Sequence, residues 1–186
     1  MLPDYECHLI QTERLNLYLV HPTHLIMLSS GKFENSLLIP LGFSNPHNVL
    51  LQGPSPVRWR APQVQQDITL NRWFIRWVVE RATREVIGSI SFHAPPDENG
   101  MIEIGLGIDE HARNRGFGKE ALTAMWNWVV GEPHVRTLRY TVSPDNAASV
   151  AIIQHFGFDY VGQQHDPEDG PEDIYEMSAA DWVKRP

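Results

Sequence analysis

Arg113-Asn114-Arg115-Gly116-Phe117-Gly118-Lys119-Glu120 places three cations and two glycines at the opening of a segment with helical periodicity. The run before it, Ile102-Glu103-Ile104-Gly105-Leu106-Gly107-Ile108, alternates as a strand does. A strand, a tight glycine turn and a helix N-terminus aim backbone N–H groups and a helix dipole at one spot. Such a spot suits a phosphate group. Gly116 and Gly118 allow close backbone approach, because a Cβ there would intrude. Arg113, Arg115 and Lys119 add positive charge in a chain whose net charge is -8. The ligand expected here carries phosphates.

The elements that must position this turn follow from patterning. Leu15, Leu17 and Leu19 alternate with Arg14, Asn16 and Tyr18, predicting a half-buried strand over 12–20. His21-Pro22-Thr23 opens a helix through Leu25, Ile26 and Leu28. Residues 31–60 are rich in Gly, Pro, Asn and Ser and read as an irregular excursion with one short helix. Ala61 to Arg72 reads as a helix with Pro62 in its first turn. Strands at 73–80, 85–93 and 101–108, joined by short turns, form an antiparallel meander. Helix 116–130 follows, with Phe117, Ala121, Leu122, Met125, Trp128 and Val129 as its apolar set. Strand 137–142 completes a βαβ unit, so it should run parallel to strand 101–108. Asn146 is placed to cap a helix over 147–155 that Gly157 ends, and strands at 158–164 and 173–177 close the chain. The acidic stretch 166–172 reads as a solvated turn. Trp73, Trp77, Trp126 and Trp128 read as packing residues.

At 186 residues the chain has the size of one domain, 1–186, with its core over about 11–178, and its hydrophobic fraction of 42% is ordinary for a globular protein. The net charge of -8 argues against a nucleic-acid partner, which a basic face would serve. Cys7 is the only cysteine, so neither an intramolecular disulfide nor a thiolate metal cluster can form, and Cys7 reads as inert. The nine histidines show no paired spacing of the metal-ligating kind, and no metal is expected. No signal peptide and no run near the roughly 20 residues of a membrane span are seen, so the cytoplasm is the expected location, with no membrane partner. A dinucleotide fingerprint is not supported: the strand before the glycine turn ends an antiparallel meander, and no acidic residue ends the following strand.

These residues resemble the GNAT superfamily of acyl-CoA-dependent N-acetyltransferases. Arg113-Asn114-Arg115-Gly116-Phe117-Gly118 matches the family's Gln/Arg-x-x-Gly-x-Gly/Ala loop. Glu103 to Ile108 looks like its fourth strand, and Asn146-Ala147-Ala148-Ser149 with Gly157-Phe158 is similar to its Asn-x-x-Ser and Gly-Phe signature. Thr12-Glu13-Arg14-Leu15 resembles the RimJ/RimL-type subgroup, which acetylates ribosomal-protein N-termini. The resemblance implies a mixed α/β fold. Its central sheet would be mostly antiparallel, of about seven strands with a splayed parallel pair and helices on both faces. It also implies acetyl-CoA as co-substrate, held by Arg113, Asn114, Arg115, Gly116, Phe117, Gly118 and Lys119 at the pyrophosphate. Leu106, Gly107 and Ile108 would lie along the pantetheine arm, and Asn146 and Ser149 would complete the cofactor contacts. A backbone N–H of 106–108 would polarise the thioester carbonyl.

By the same resemblance, Ser149, or a water on it, protonates the departing thiolate, and Glu103 acts as base, through water. The chemistry needs both. The attacking amine must be neutral, yet an N-terminal amine has a pKa of about 7.7–8.0 and a lysine about 10.4, while the leaving thiol sits near about 8.5. Arg139-Tyr140-Thr141-Val142 offers no glutamate of the kind some members carry on the fifth strand. His155-Phe156 stands where a tyrosine donor would be expected, and His155 reads as a solvated helix-end residue that could substitute. The expected reaction is acetyl transfer to a primary amine, in first place a protein N-terminus, in a ternary complex without an acyl-enzyme. The protein would act as a monomer or homodimer. A small-molecule amine acceptor, with 31–60 as the acceptor wall, and a non-catalytic acyl-CoA-binding module remain open alternatives.

Overall fold

The computed structural model describes residues 9–52, 55–168 and 170–185. The expectation for Cys7 lies outside them, as do Gly53 and Pro54 of the 31–60 excursion and Asp169 of the acidic stretch. The chain divides into two compact units, Met1–His93 with Leu106–Met125, and Ala94–Gly105 with Trp126–Pro186.

In the first unit, β1 (Ile10–Gln11) pairs antiparallel with β2 (Leu15–Leu19), β2 with β3 (Arg76–Glu80), and β3 with β4 (Glu85–Phe92). β2 is covered more fully than alternation predicts. Leu15 and Leu17 are sealed, and Asn16, from the opposite face, is only 8% exposed. All five residues of β3 are buried, including the charged Arg76 and Glu80. Its central position between β2 and β4 explains this. Burial pushes the Arg76 guanidinium down to about 10, and the charge of Arg72 adds to the shift.

The excursion at 31–60 is ordered by its apolar residues. Phe33, Leu38, Phe43 and Val57 join Leu25, Phe74 and Trp77 in one core. A 3₁₀ helix spans Asn35–Leu41 and ends on Gly42 at φ 76°. Asn35 and Asn45 then lock the following turn. The Asn45 amide donates to Asn35 Oδ1 at 3.0 Å, and the Asn35 amide donates to Asn45 O at 3.0 Å and Asn48 Oδ1 at 2.8 Å. The helix expected from Ala61 is α2 (Val57–Gln66), so Pro62 is interior rather than in the first turn. The helix stops at Asp67, whose carboxylate caps a 3₁₀ helix over Ile68–Trp73. The α1 helix (Pro22–Ser29) begins where expected, with the His21 side chain accepting from Thr23 N.

β5 (Met101–Ile108) and α3 (Phe117–Val129) each contribute to both units. On α3, Trp126 rather than Trp128 joins Phe117, Ala121, Leu122, Met125 and Val129 among the buried residues. In the second unit, Met101–Glu103 of β5 pairs parallel with β6 (Thr137–Val142), in register Met101↔Thr137 to Glu103↔Arg139. β6 pairs antiparallel with β8 (Gly170–Ser178), and β8 with β7 (Asp159–Asp166). α4 (Ala147–Phe156) ends on Gly157 in the left-handed region at φ 74°. An aromatic cluster fills this unit: the Trp182 ring lies 5.3 Å from Phe156 and 6.4 Å from Trp126. Trp182 belongs to α5 (Ala179–Val183), a helix the sequence reading did not include. The fold is therefore mixed α/β, with eight strands among the described residues. The strand beyond the expected seven is the two-residue β1.

Gly88 on β4 marks a backbone contact in the first unit. A Cβ there would run into the Gly107 carbonyl oxygen and sit 3.2 Å from Ile108 Cα. Backbone cannot yield as a flexible side chain can. Gly88→Ala should cost about 1–3 kcal/mol of unfolding free energy. Urea denaturation measures this, and an unchanged midpoint would contradict the contact.

Candidate active site

The glycine turn is built as the sequence predicts. After β5, Asp109 accepts from His111 N at 3.1 Å and starts a 3₁₀ turn over Glu110–Ala112. Arg113 Nε then donates back to Ile108 O at 2.9 Å, closing the connection on itself. Asn114 and Gly116 both take positive φ, 61° and 80°. Both lie within three positions of one another, immediately before α3 begins at Phe117. A Cβ on Gly116 would meet only Arg14 Nη2 at 3.4 Å, so the backbone conformation, not space, calls for glycine there. The first N–H groups of α3 have no partners within the helix and face the turn. Leu106 and Ile108 are half-buried and Gly107 is exposed, and a Cβ on Gly107 would meet nothing within 4 Å. Leu106–Ile108 and Arg113–Lys119 thus come together in the first unit. The structure fits a cofactor whose phosphates rest on peptide groups.

A charged clasp holds the turn. Glu120, in the first turn of α3, accepts from Thr12 Oγ1 at 2.5 Å, Arg14 N at 2.8 Å and Arg14 Nε at 2.7 Å. Arg14 Nη1 donates to Arg115 O at 2.9 Å, inside the glycine turn. Arg115 pairs with the buried Glu80 at 2.5 Å. The guanidinium carbons of Arg14 and Arg115 both lie 4.6 Å from the centre of the Phe117 ring. Arg81 Nη1 steadies the opposite side, donating to Thr12 O and Glu13 O at 2.8 Å each. The sequence reading assigned Arg115 to phosphate; its guanidinium is engaged with Glu80 and Phe117. Thr12 and Arg14, read there as part of a strand and of a family resemblance, are what position the loop.

The remaining candidates lie in the second unit. Asn146 caps α4 by accepting from Ser149 N at 3.2 Å. The Ser149 side chain shares a hydrogen bond with the Tyr140 hydroxyl. Tyr140 is 4% exposed, and this burial raises its phenol above the ordinary value, against the smaller opposing effect of the Ser149 bond. Glu103 accepts a hydrogen bond from Thr141 Oγ1. Tyr140 and Thr141 are adjacent on β6, so their side chains leave opposite faces of the strand. Ser149 and Glu103 therefore sit on opposite faces of the β5–β6 ladder. Arg139, the ladder partner of Glu103, is engaged with Glu176 at 2.7 Å. Tyr140 and Thr141 were missed because their part depends on which face each takes. The period-2 alternation of β6 was the available signal. His155 is exposed in the last turn of α4, as expected. β7 runs to Asp166 and β8 begins at Gly170, so both strands extend into the stretch read as an acidic turn.

Burial raises the Glu120 carboxyl, but the hydrogen bonds from Thr12 and Arg14 and the charge of Arg14 outweigh it, leaving the group below its ordinary value. A carboxyl lowered on folding stabilises the protein above its unfolded value and loses that contribution as pH falls through the folded one. Glu120→Gln should therefore flatten the loss of stability below about pH 4.5. Parallel acid titrations followed by circular dichroism measure it. Coincident profiles for the two proteins would argue against the clasp.

Comparisons with known proteins agree with this geometry. Residues 50–159 match the acetyltransferase (GNAT) domain family. The uncharacterized N-acetyltransferase YjdG of Bacillus subtilis is 33% identical over 86 residues, 46% of this chain and 51% of YjdG. The chain thus aligns with about half the length of that relative. A ribosomal-protein-S5-alanine acetyltransferase from Vibrio fischeri superposes with a TM-score of 0.65 at 16% identity, covering 96% of this chain and 99% of the other. The ribosomal L7/L12 α-N-protein acetyltransferase RimL, in complex with coenzyme A, superposes with a TM-score of 0.61 at 20% identity, covering 91% and 97%. With the strand, glycine turn and helix in place and the family matched over more than half its residues, this chain belongs to the GNAT acetyltransferase family.

Proposed function

We propose that the protein transfers an acetyl group from acetyl-CoA to a primary amine, in first place a protein N-terminal amine, by direct attack in a ternary complex. The observation that carries the donor assignment is the Arg113–Phe117 turn, with positive φ at Asn114 and Gly116 feeding the N-terminus of α3. The peptide groups of 114–119 would bind the pyrophosphate, with Arg113 and Lys119 adding charge. A backbone N–H of Leu106–Ile108 would polarise the thioester carbonyl. The protein N-terminal acceptor is supported by the Thr12–Leu15 resemblance and by neighbours whose names specify ribosomal proteins.

The placement of Glu103 and Ser149 on opposite faces of β5–β6 supports separate handling of the two protons. The C–N bond forms as the C–S bond breaks. Glu103, through water, takes the proton that the amine loses. On the other face, Ser149 gives the thiolate its proton and is resupplied by Tyr140. The Tyr140 phenol, raised by burial, stays protonated at neutral pH and can fill that role. Both roles would leave cofactor affinity largely untouched.

Calorimetry with acetyl-CoA, followed by turnover on N-terminal peptides, tests this reading. Wild type should bind with micromolar affinity and Gly116→Glu should not, since a carboxylate would occupy the anion site at a strained φ. Ser149→Ala and Tyr140→Phe should bind like wild type but turn over more slowly, by about 10²-fold or more for Ser149→Ala if it is the proton donor. Equal turnover in Ser149→Ala would remove that role. Turnover confined to small amines would move the acceptor assignment, and binding without turnover on any amine would leave a binding module.

A further inference from the structure

His47, Asp109 and His111 converge in the first unit. Each offers one ligating atom, and these atoms all lie within 4.8 Å of one another. His111 Nδ1 is 2.8 Å and His47 Nδ1 3.8 Å from the same Asp109 oxygen, and the two imidazoles are near-parallel with centres 4.5 Å apart. Among the described residues this is the histidine–carboxylate cluster with metal-ligand spacing. We propose that it is a binding site for a divalent transition cation of the zinc class, held by two imidazoles and one carboxylate with a fourth position left for water.

The chemistry and the dimensions both suit that ion. Imidazole nitrogen and carboxylate oxygen are ordinary zinc ligands, and three protein ligands plus water make an open tetrahedral site. Bonds of about 2.0–2.1 Å set tetrahedral ligand separations near about 3.3 Å, inside the range of spacings found here. Small rotations of His47 and His111 would close the set. The backbone around the ligands is already fixed. The Asn35–Asn45 amide exchange and the Val49 N to Asn45 Oδ1 bond at 2.9 Å set the turn that carries His47. Asp109 and His111 lie on the 3₁₀ turn that Asp109 itself caps. The ion would take the place of the contact between His111 Nδ1 and Asp109 Oδ1 and would tie the 45–49 turn to the connection that leads into the glycine loop. It is a link between loops, independent of the acetyl-transfer reading.

Titrating the full chain with zinc chloride by calorimetry, and with cobalt(II) by visible absorption, tests this. One equivalent should bind, with a cobalt spectrum of low-coordinate nitrogen–oxygen type, and amide exchange at 45–51 should slow on zinc addition. His47→Ala, His111→Ala and Asp109→Asn should each weaken binding by more than about tenfold. His165→Ala, on the exposed face of β7, should leave it unchanged. Absence of binding by wild type, or equal affinity in all three ligand variants, would overturn the site.

Discussion

Glu120 is the carboxylate on which the conformation of the first unit's glycine turn depends. It sits at the positive end of the α3 dipole, where a negative charge is favoured. From there it gathers a hydroxyl, a peptide N–H and a guanidinium from the segment before β2. The glycine turn has two residues in the left-handed region. Such a segment keeps one shape only if its surroundings over-determine it. Arg14 supplies that by reaching from Glu120 to Arg115 O, and Glu80 extends the support into the buried strand β3. The segment 12–14 thereby acts as part of the loop.

The strands were legible where local chemistry and packing agreed. Met101–Ile108 and Thr137–Val142 have the bounds that alternation indicates, and Asn146 and Gly157 end α4 as capping rules require. The segment 31–60 was not legible because its polar turn residues dominate its composition. Its structure comes from a few dispersed apolar side chains and from an Asn35–Asn45 exchange that only tertiary contact creates. Pro62 misled for a related reason: proline usually marks a first turn, but Val57, Ala61 and Val64 are all buried and carry the helix earlier. α5 is too short to show periodicity and is held by the edge-to-face packing of Trp182 against Phe156.

The candidate site shows the same division. The glycine loop is a local motif and could be read from its residues. The partners of the candidate side chains could not: Arg115 with Glu80 and Glu103 with Thr141 join positions remote in sequence, and Ser149 meets Tyr140 only through the path from β6 into α4. The two faces of β6 matter most here. Sequence places Glu103 and Ser149 in one functional neighbourhood, whereas the alternation of Tyr140 and Thr141 gives each its own side of the ladder.

Arg14, Arg115, Glu80 and Glu120 form an electrically balanced quartet around the Phe117 ring. Two of the positive charges nearest the glycine turn are thus matched by carboxylates before any anion arrives. An incoming phosphate would meet fixed peptide dipoles more than mobile cations. Ion atmospheres screen exposed charges over about a Debye length, whereas dipoles in direct contact with a ligand lose little. Affinity at this loop should therefore vary less with ionic strength than its complement of arginines implies. Raising salt would alter the speed of encounter with the acidic protein more than the grip that follows.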